Sequence, residues 1–114
     1  MTDCLFCKII GGEIPAKRVY EDDSIFAFED INPQAPTHIL LIPKEHYTSL
    51  KEVRETEKDL LGNILLKAKE LAQDKGLEDS GYRIVLNTGR DSGQAVFHIH
   101  FHLLGGRRMS WPPG

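Results

Sequence analysis

The stretch Phe97-His98-Ile99-His100-Phe101-His102-Leu103-Leu104 decides how the rest of the chain is read. Its strict alternation has the period of a β-strand, in which successive side chains point to opposite faces. His98, His100 and His102 then share one face, and Phe97, Ile99, Phe101 and Leu103 the other. The apolar face suits a core, and the histidine face suits a polar surface or cleft. Three of the five histidines in the chain stand in this one row. A merely solvated face is served equally well by Thr, Lys or Glu, so the row asks for chemistry.

The strand cannot hold a three-histidine metal by itself. At a rise of about 3.3 Å per residue, His98 and His102 are about 13 Å apart at Cα, too far for both to reach one ion. A metal can take one of them only if other segments supply the remaining ligands. Phosphoryl chemistry uses the row better. Imidazole is a competent nucleophile near neutral pH, and its neighbours can fix a tautomer, bind oxygens or pass protons.

The residues just upstream fit that use. Asn87-Thr88-Gly89-Arg90-Asp91-Ser92-Gly93-Gln94-Ala95 is rich in groups that turn backbone N–H toward an anion. No Walker-type glycine-lysine loop is present, and no acidic cluster asks for magnesium. Working outward, Leu60, Leu61, Ile64, Leu65, Ala68, Leu71 and Ala72 recur at helical spacing. Thr56 and Asp59 resemble a capping box at the start of this helix, and Lys75-Gly76 marks its end.

Shorter elements complete the pattern. Asp3 is placed to cap a short helix reaching Ile10, stopped by Gly11-Gly12. Strands are predicted at Arg18–Glu21, Ser24–Phe28, His38–Ile42, Tyr82–Asn87 and Phe97–Leu104, and Asn32-Pro33-Gln34-Ala35-Pro36 is excluded from regular structure by its prolines. Strands, one long helix, then strands describe an α+β fold: an antiparallel sheet of about five strands, one long helix and a short N-terminal helix.

The 114 residues suit one domain, taken as 1–114. The net charge of −3 argues against broad nucleic-acid binding. No apolar run is long enough to cross a bilayer and no signal-peptide layout opens the chain, so neither membrane nor nucleic acid is expected as a partner and the cytoplasm is the expected compartment. The two cysteines, Cys4 and Cys7, would close a trivially small disulfide loop. Metal binding or plain burial suits them better, and no thioredoxin-like context surrounds them.

Several separate motifs now fall in order: Glu13–Lys17 (EIPAK), Tyr20–Asp23 (YEDD), Ala27–His46 (AFEDINPQAPTHILLIPKEH), Leu86–Gly106 (LNTGRDSGQAVFHIHFHLLGG) and Trp111–Gly114 (WPPG). Together they resemble the Hint branch of the histidine triad (HIT) superfamily, the nucleotide-binding phosphoramidases, over nearly the whole chain. The resemblance implies a HIT-like α+β fold and a homodimer whose sheets join. It implies hydrolysis of purine nucleoside phosphoramidates, or acyl-nucleotides, to the nucleoside monophosphate with no cofactor required for catalysis. His100 matches the nucleophile that becomes nucleotidylated, His98 and His102 its flanking partners, and His38 an outer supporting histidine. Asn87, Gly93 and Gln94 match the phosphate loop, and Asp30 the acid that binds the ribose hydroxyls. Phe6, Ile9, Phe28 and Ile31 match the walls around the base, and Trp111 a residue that reaches the partner subunit's site.

Ala95 departs from the pattern, standing where many relatives carry a hydroxyl toward phosphate, which bears on rate. Cys4 and Cys7 with His46 and His98 match a zinc set found in some superfamily members; in others the equivalent histidines serve a proton relay. A structural zinc and a relay are therefore both open for His98, and they exclude each other. Three rival functions also stand: a dinucleoside polyphosphate hydrolase, a nucleotide-binding or scaffold protein with incidental catalysis, and a metal-binding module.

Overall fold

The computed structural model describes residues 3–114. Its elements run α1 (Leu5–Ile10), β1 (Arg18–Glu21), β2 (Ile25–Glu29), β3 (Thr37–Pro43), α2 (Lys58–Asp74), β4 (Tyr82–Leu86) and β5 (Phe101–Gly105), with three short 3-10 turns between them. The strands form one sheet in the order β1-β2-β3-β5-β4, every neighbouring pair antiparallel. This is the α+β architecture expected from the sequence.

The sheet is buried on both faces in its middle, which explains why β2 and β3 read as continuous apolar runs. Ile25, Ala27, Ile39 and Leu41 point to one side, where they pack with Ile64, Ala68, Leu71 and Ala72 of α2 and with Ile99, Phe101 and Leu103. Phe26, Phe28, Leu40 and Ile42 point to the other, where Phe6 and Ile9 of α1 cover them. The 17-residue α2 ends as expected: the Leu77 N–H donates to the Ala72 carbonyl at 2.9 Å, with Gly76 at φ +73° making the reversal that side chains resist.

Several boundaries differ from expectation. Cys4, not Asp3, caps α1, its Sγ accepting the Cys7 N–H. The turn before α2 is closed by the Arg54 N–H donating to Glu57 Oε1 at 3.0 Å, not by a Thr56–Asp59 box. Leu65 is exposed on the flank of α2, while Ile64 and Ala68 carry the buried stripe. The main correction concerns β5. It begins at Phe101, the last rung of both ladders: Leu41 of β3 and Leu86 of β4 pair with Phe101, β4 ends there, and β3 runs on to Pro43 paired only with β2. Upstream, the Ile99 N–H donates instead to the Tyr47 carbonyl at 2.7 Å. Phe97 consequently leaves the core face and is 58% exposed.

Candidate active site and metal centre

The alternation of histidine and apolar residues holds from His98 to Leu103 even where the ladder stops. Ile99, Phe101 and Leu103 face α2. His98 and His100 are buried on the other side. The histidines do not line an open polar surface; α1 lies over them, with the Phe6 ring edge-on to His98 at 5.9 Å and to His100 at 5.1 Å between centroids.

Hydrogen bonds fix the imidazole tautomers one by one. His100 donates Nδ1–H to the His98 carbonyl at 2.8 Å, which leaves the lone pair on Nε2. His38 accepts the Gln34 N–H on Nδ1 at 3.0 Å, so its proton sits on Nε2. From there it is donated to His102 Nδ1 at 2.9 Å, with Asp30 Oδ2 at 3.5 Å from the same nitrogen. His102 therefore carries its own proton on Nε2. Burial pushes His100 below the ordinary imidazole value, against the pull of its hydrogen bond to the His98 carbonyl and of Asp30. His38 is lowered by burial too, against Asp30. His102 falls to about 4, through burial first and then the nearby His100 and His38. Near neutral pH the row is a set of uncharged, oriented imidazoles.

Asp30, His38 and His102 bring their ligand atoms within 4.8 Å of one another, but they make a poor metal centre. An ion on His38 Nε2 would force that proton to Nδ1 and break the bond from Gln34. A proton relay fits better.

Beside the histidines opens an apolar cavity of about 720 Å³. The expected base residues Phe6, Ile9, Phe28 and Ile31 all line it, as does Asp30. Asp30 is held there by the Asn32 N–H, which donates to Oδ1 at 2.8 Å and leaves Oδ2 for the site. Leu40, Ile14 and Val96 also line the cavity and were missed. Leu40 pairs directly with Phe28 across β2 and β3, so drawing the hairpin register would have found it. Trp111, 82% exposed, is not among the lining residues and meets this cavity nowhere within its own chain.

The loop before the histidines is braced from inside. Gln94, only 7% exposed, accepts the Gly89 N–H at 2.9 Å and donates to the Thr48 and Val96 carbonyls at 2.8 and 3.1 Å. Its backbone N–H goes to the Gly89 carbonyl at 3.3 Å, and the Gly93 N–H to the Arg90 carbonyl at 3.0 Å. Gln94 and Gly93 thus shape the loop with donors already committed inside it. Asn87 follows β4 at the root of the loop, and Ala95 is exposed at its end.

At the other end of the row, Cys4, Cys7, His46 and His98 converge. His98 donates Nε2–H to the Pro43 carbonyl at 2.8 Å, leaving a single lone pair on Nδ1. Three groups crowd that one lone pair: His46 Nδ1 at 3.2 Å, Cys4 Sγ at 3.3 Å and Cys7 Sγ at 3.6 Å. Cys7 Sγ is also 3.4 Å from His46 Nδ1. One lone pair cannot accept from three donors, whereas bonds of about 2.0–2.3 Å to a tetrahedral zinc place neighbouring ligand atoms about 3.3–3.7 Å apart. The donor set fits a structural zinc, with Pro43 orienting its histidine. Neither nitrogen of His98 is directed to His100, which corrects its expected place as a proton carrier. Its backbone carbonyl instead holds the His100 Nδ1–H.

A model of the HIT domain family matches residues 11–109. A HIT-like protein of Synechocystis sp. is 55% identical over 112 residues, covering 98% of this chain and 97% of that one. A 14 kDa zinc-binding protein of Zea mays is also 55% identical over 112 residues, covering 96% and 87%. The crystal structure of a HIT family hydrolase from Legionella pneumophila superposes with a TM-score of 0.96 at 58% identity, covering 98% of this chain and all (100%) of that one. The histidine triad nucleotide-binding protein of Candida albicans superposes at 0.83 with 37% identity, covering 96% and 83%.

Proposed function

The chain belongs to the HIT domain family, and on that footing we propose that it is a hydrolase that cleaves purine nucleoside phosphoramidates, or acyl-nucleotides, at the α-phosphate. The observation that carries the reading is the fixed tautomer of His100. With Nδ1–H held by the His98 carbonyl, its Nε2 lone pair is the nucleophile, beside a cavity sized for one base and ribose.

In the proposed reaction His100 Nε2 bonds to phosphorus and the P–N bond breaks. His102 gives its Nε2 proton to the departing amine, with the His38 Nε2–H holding its Nδ1, and recovers a proton from the water of the second step. Water then attacks the nucleotidyl-histidine, releasing the nucleoside monophosphate and free His100. Asp30 takes the ribose hydroxyls, and Phe6, Ile9, Phe28 and Ile31 hold the base. Asn87 and the Ala95 N–H take the phosphate oxygens, with no hydroxyl at Ala95, while Gly93 and Gln94 hold the shape of the turn. Zinc, held by Cys4, Cys7, His46 and His98, would secure α1 and the carbonyl end of His98; no step runs through it.

The reading includes a homodimer. β4 is one of the sheet's two outer strands, and Trp111 is exposed, held near it by the Arg83 guanidinium donating to the Ser110 carbonyl at 3.0 Å. In the dimer Trp111 reaches the partner's site. A panel of adenosine and guanosine phosphoramidates, acyl-adenylates and dinucleoside polyphosphates tests the substrate class. Preferred turnover of the first two supports the reading, and preferred turnover of the dinucleotides overturns it.

A further inference from the structure

Between the end of β5 and the relay runs a short chain of contacts that the nucleophile and its pocket do not use. Gly106 follows β5 at φ +93° and lies against Pro36: a Cβ there would come within 2.8 Å of the proline ring. That close approach, open only to glycine, brings the next residue over the loop from Asn32 to Pro36. Arg107 Nε then donates to the Gln34 carbonyl at 2.8 Å, while its Nη1 donates to the Arg108 carbonyl at 3.2 Å and steadies the guanidinium. The N–H of the same Gln34 donates to His38 Nδ1 at 3.0 Å. The Gln34 side chain is turned back onto the Asn32 carbonyl at 3.0 Å, so the residue is held on three sides.

We infer that Arg107 is a positioning residue for the histidine relay: by holding the Gln34 backbone it fixes His38 as the Nε2–H tautomer, the only one that can donate to His102 Nδ1. Both tautomers of a neutral imidazole are close in energy, so an acceptor bond on Nδ1 decides between them. Without the clamp the proline-flanked loop has no other side chain from outside it holding the Gln34 carbonyl among the described residues. His38 is then free to turn its proton to Nδ1, and both His38 Nε2 and His102 Nδ1 would present lone pairs to each other across 2.9 Å. Arg107 itself is exposed, so its loss bears on geometry and not on folding.

The kinetic arm of the test rests on the proposed hydrolase reading; the spectroscopic arm does not. Imidazole nitrogen NMR of the full chain, without substrate, should show His38 protonated at Nε2. In Arg107→Met the His38 signals should move toward a mixture of tautomers. Turnover of adenosine phosphoramidate should fall about fivefold in kcat with KM within about twofold, the worth of one net hydrogen bond. Arg107→Lys, which keeps a donor for the Gln34 carbonyl, should recover most of both. An unchanged His38 tautomer in Arg107→Met overturns the inference, whether or not the phosphoramidate is a substrate. A loss confined to KM, or a kcat loss that Arg107→Lys does not relieve, overturns it as well.

Discussion

Replacing Gln94 separates a brace from a ligand. Its side chain makes three hydrogen bonds, to the Gly89 N–H and to the carbonyls of Thr48 and Val96, and it is nearly buried. At about 1 kcal/mol net for each bond and about 0.8 kcal/mol for a buried methylene, Gln94→Ala loses close to 4 kcal/mol; relief of about 1.5 kcal/mol of side-chain ordering leaves a net cost of about 2 kcal/mol. Gln94→Glu is the sharper probe, because the shape is kept. One oxygen still accepts from Gly89, but the other meets two carbonyl oxygens where Nε2 donated, at 2.8 and 3.1 Å. Losing two donor bonds and confining a carboxylate against two acceptors should cost about 3–4 kcal/mol at neutral pH. Urea unfolding of the three proteins at pH 7.5 gives the order directly: wild type, then Ala, then Glu. A Gln94→Glu protein as stable as wild type would refute the brace and turn the side chain outward, toward a bound phosphate.

Two other outcomes follow from the site. Protein purified without chelator should carry close to one zinc per chain, and Cys4→Ser should lose the metal with at least about 2 kcal/mol of stability; a metal-free, fully stable wild type measured by elemental analysis would remove the zinc site. His102 titrates near 4 when folded, below the unfolded value of about 6.5, so the unfolded chain binds the extra proton first. The stability tied to its neutral form is complete above about pH 6.5 and drains as pH falls toward 4, by about 1–2 kcal/mol after discounting for its partial exposure. Unfolding midpoints of wild type and His102→Asn should converge or cross over that window; parallel curves would contradict it.

How much of this was legible in the sequence varies with the physics involved. Period two in Ile99, Phe101 and Leu103, and period 3.6 in Ile64, Ala68 and Leu71, report burial directly, and these residues meet in one core. Strand ends are set by partners that no local pattern contains. His98 and His100 read as strand but lie beyond the last paired rung at Phe101. The motif at Cys4 and Cys7 was visible, but their convergence with His46 and His98 depends on α1 folding across the sheet, a long-range event. The tautomers were illegible for a related reason. They are set by backbone groups of Pro43, Gln34 and His98, which carry no side-chain signature. Gln94 is placed in the phosphate loop by resemblance, and only its buried bonds reveal that its side chain acts inward.

The proposed reaction turns on a bond between His100 Nε2 and phosphorus. Rapid acid-free quenching of the protein with adenosine phosphoramidate, followed by proteolysis and mass spectrometry, reads that bond directly. A nucleotidyl adduct on His100 should form and decay within one turnover, and a folded His100→Ala protein should show neither adduct nor turnover. An adduct on His98 or His102, or sustained turnover by His100→Ala, would contradict it.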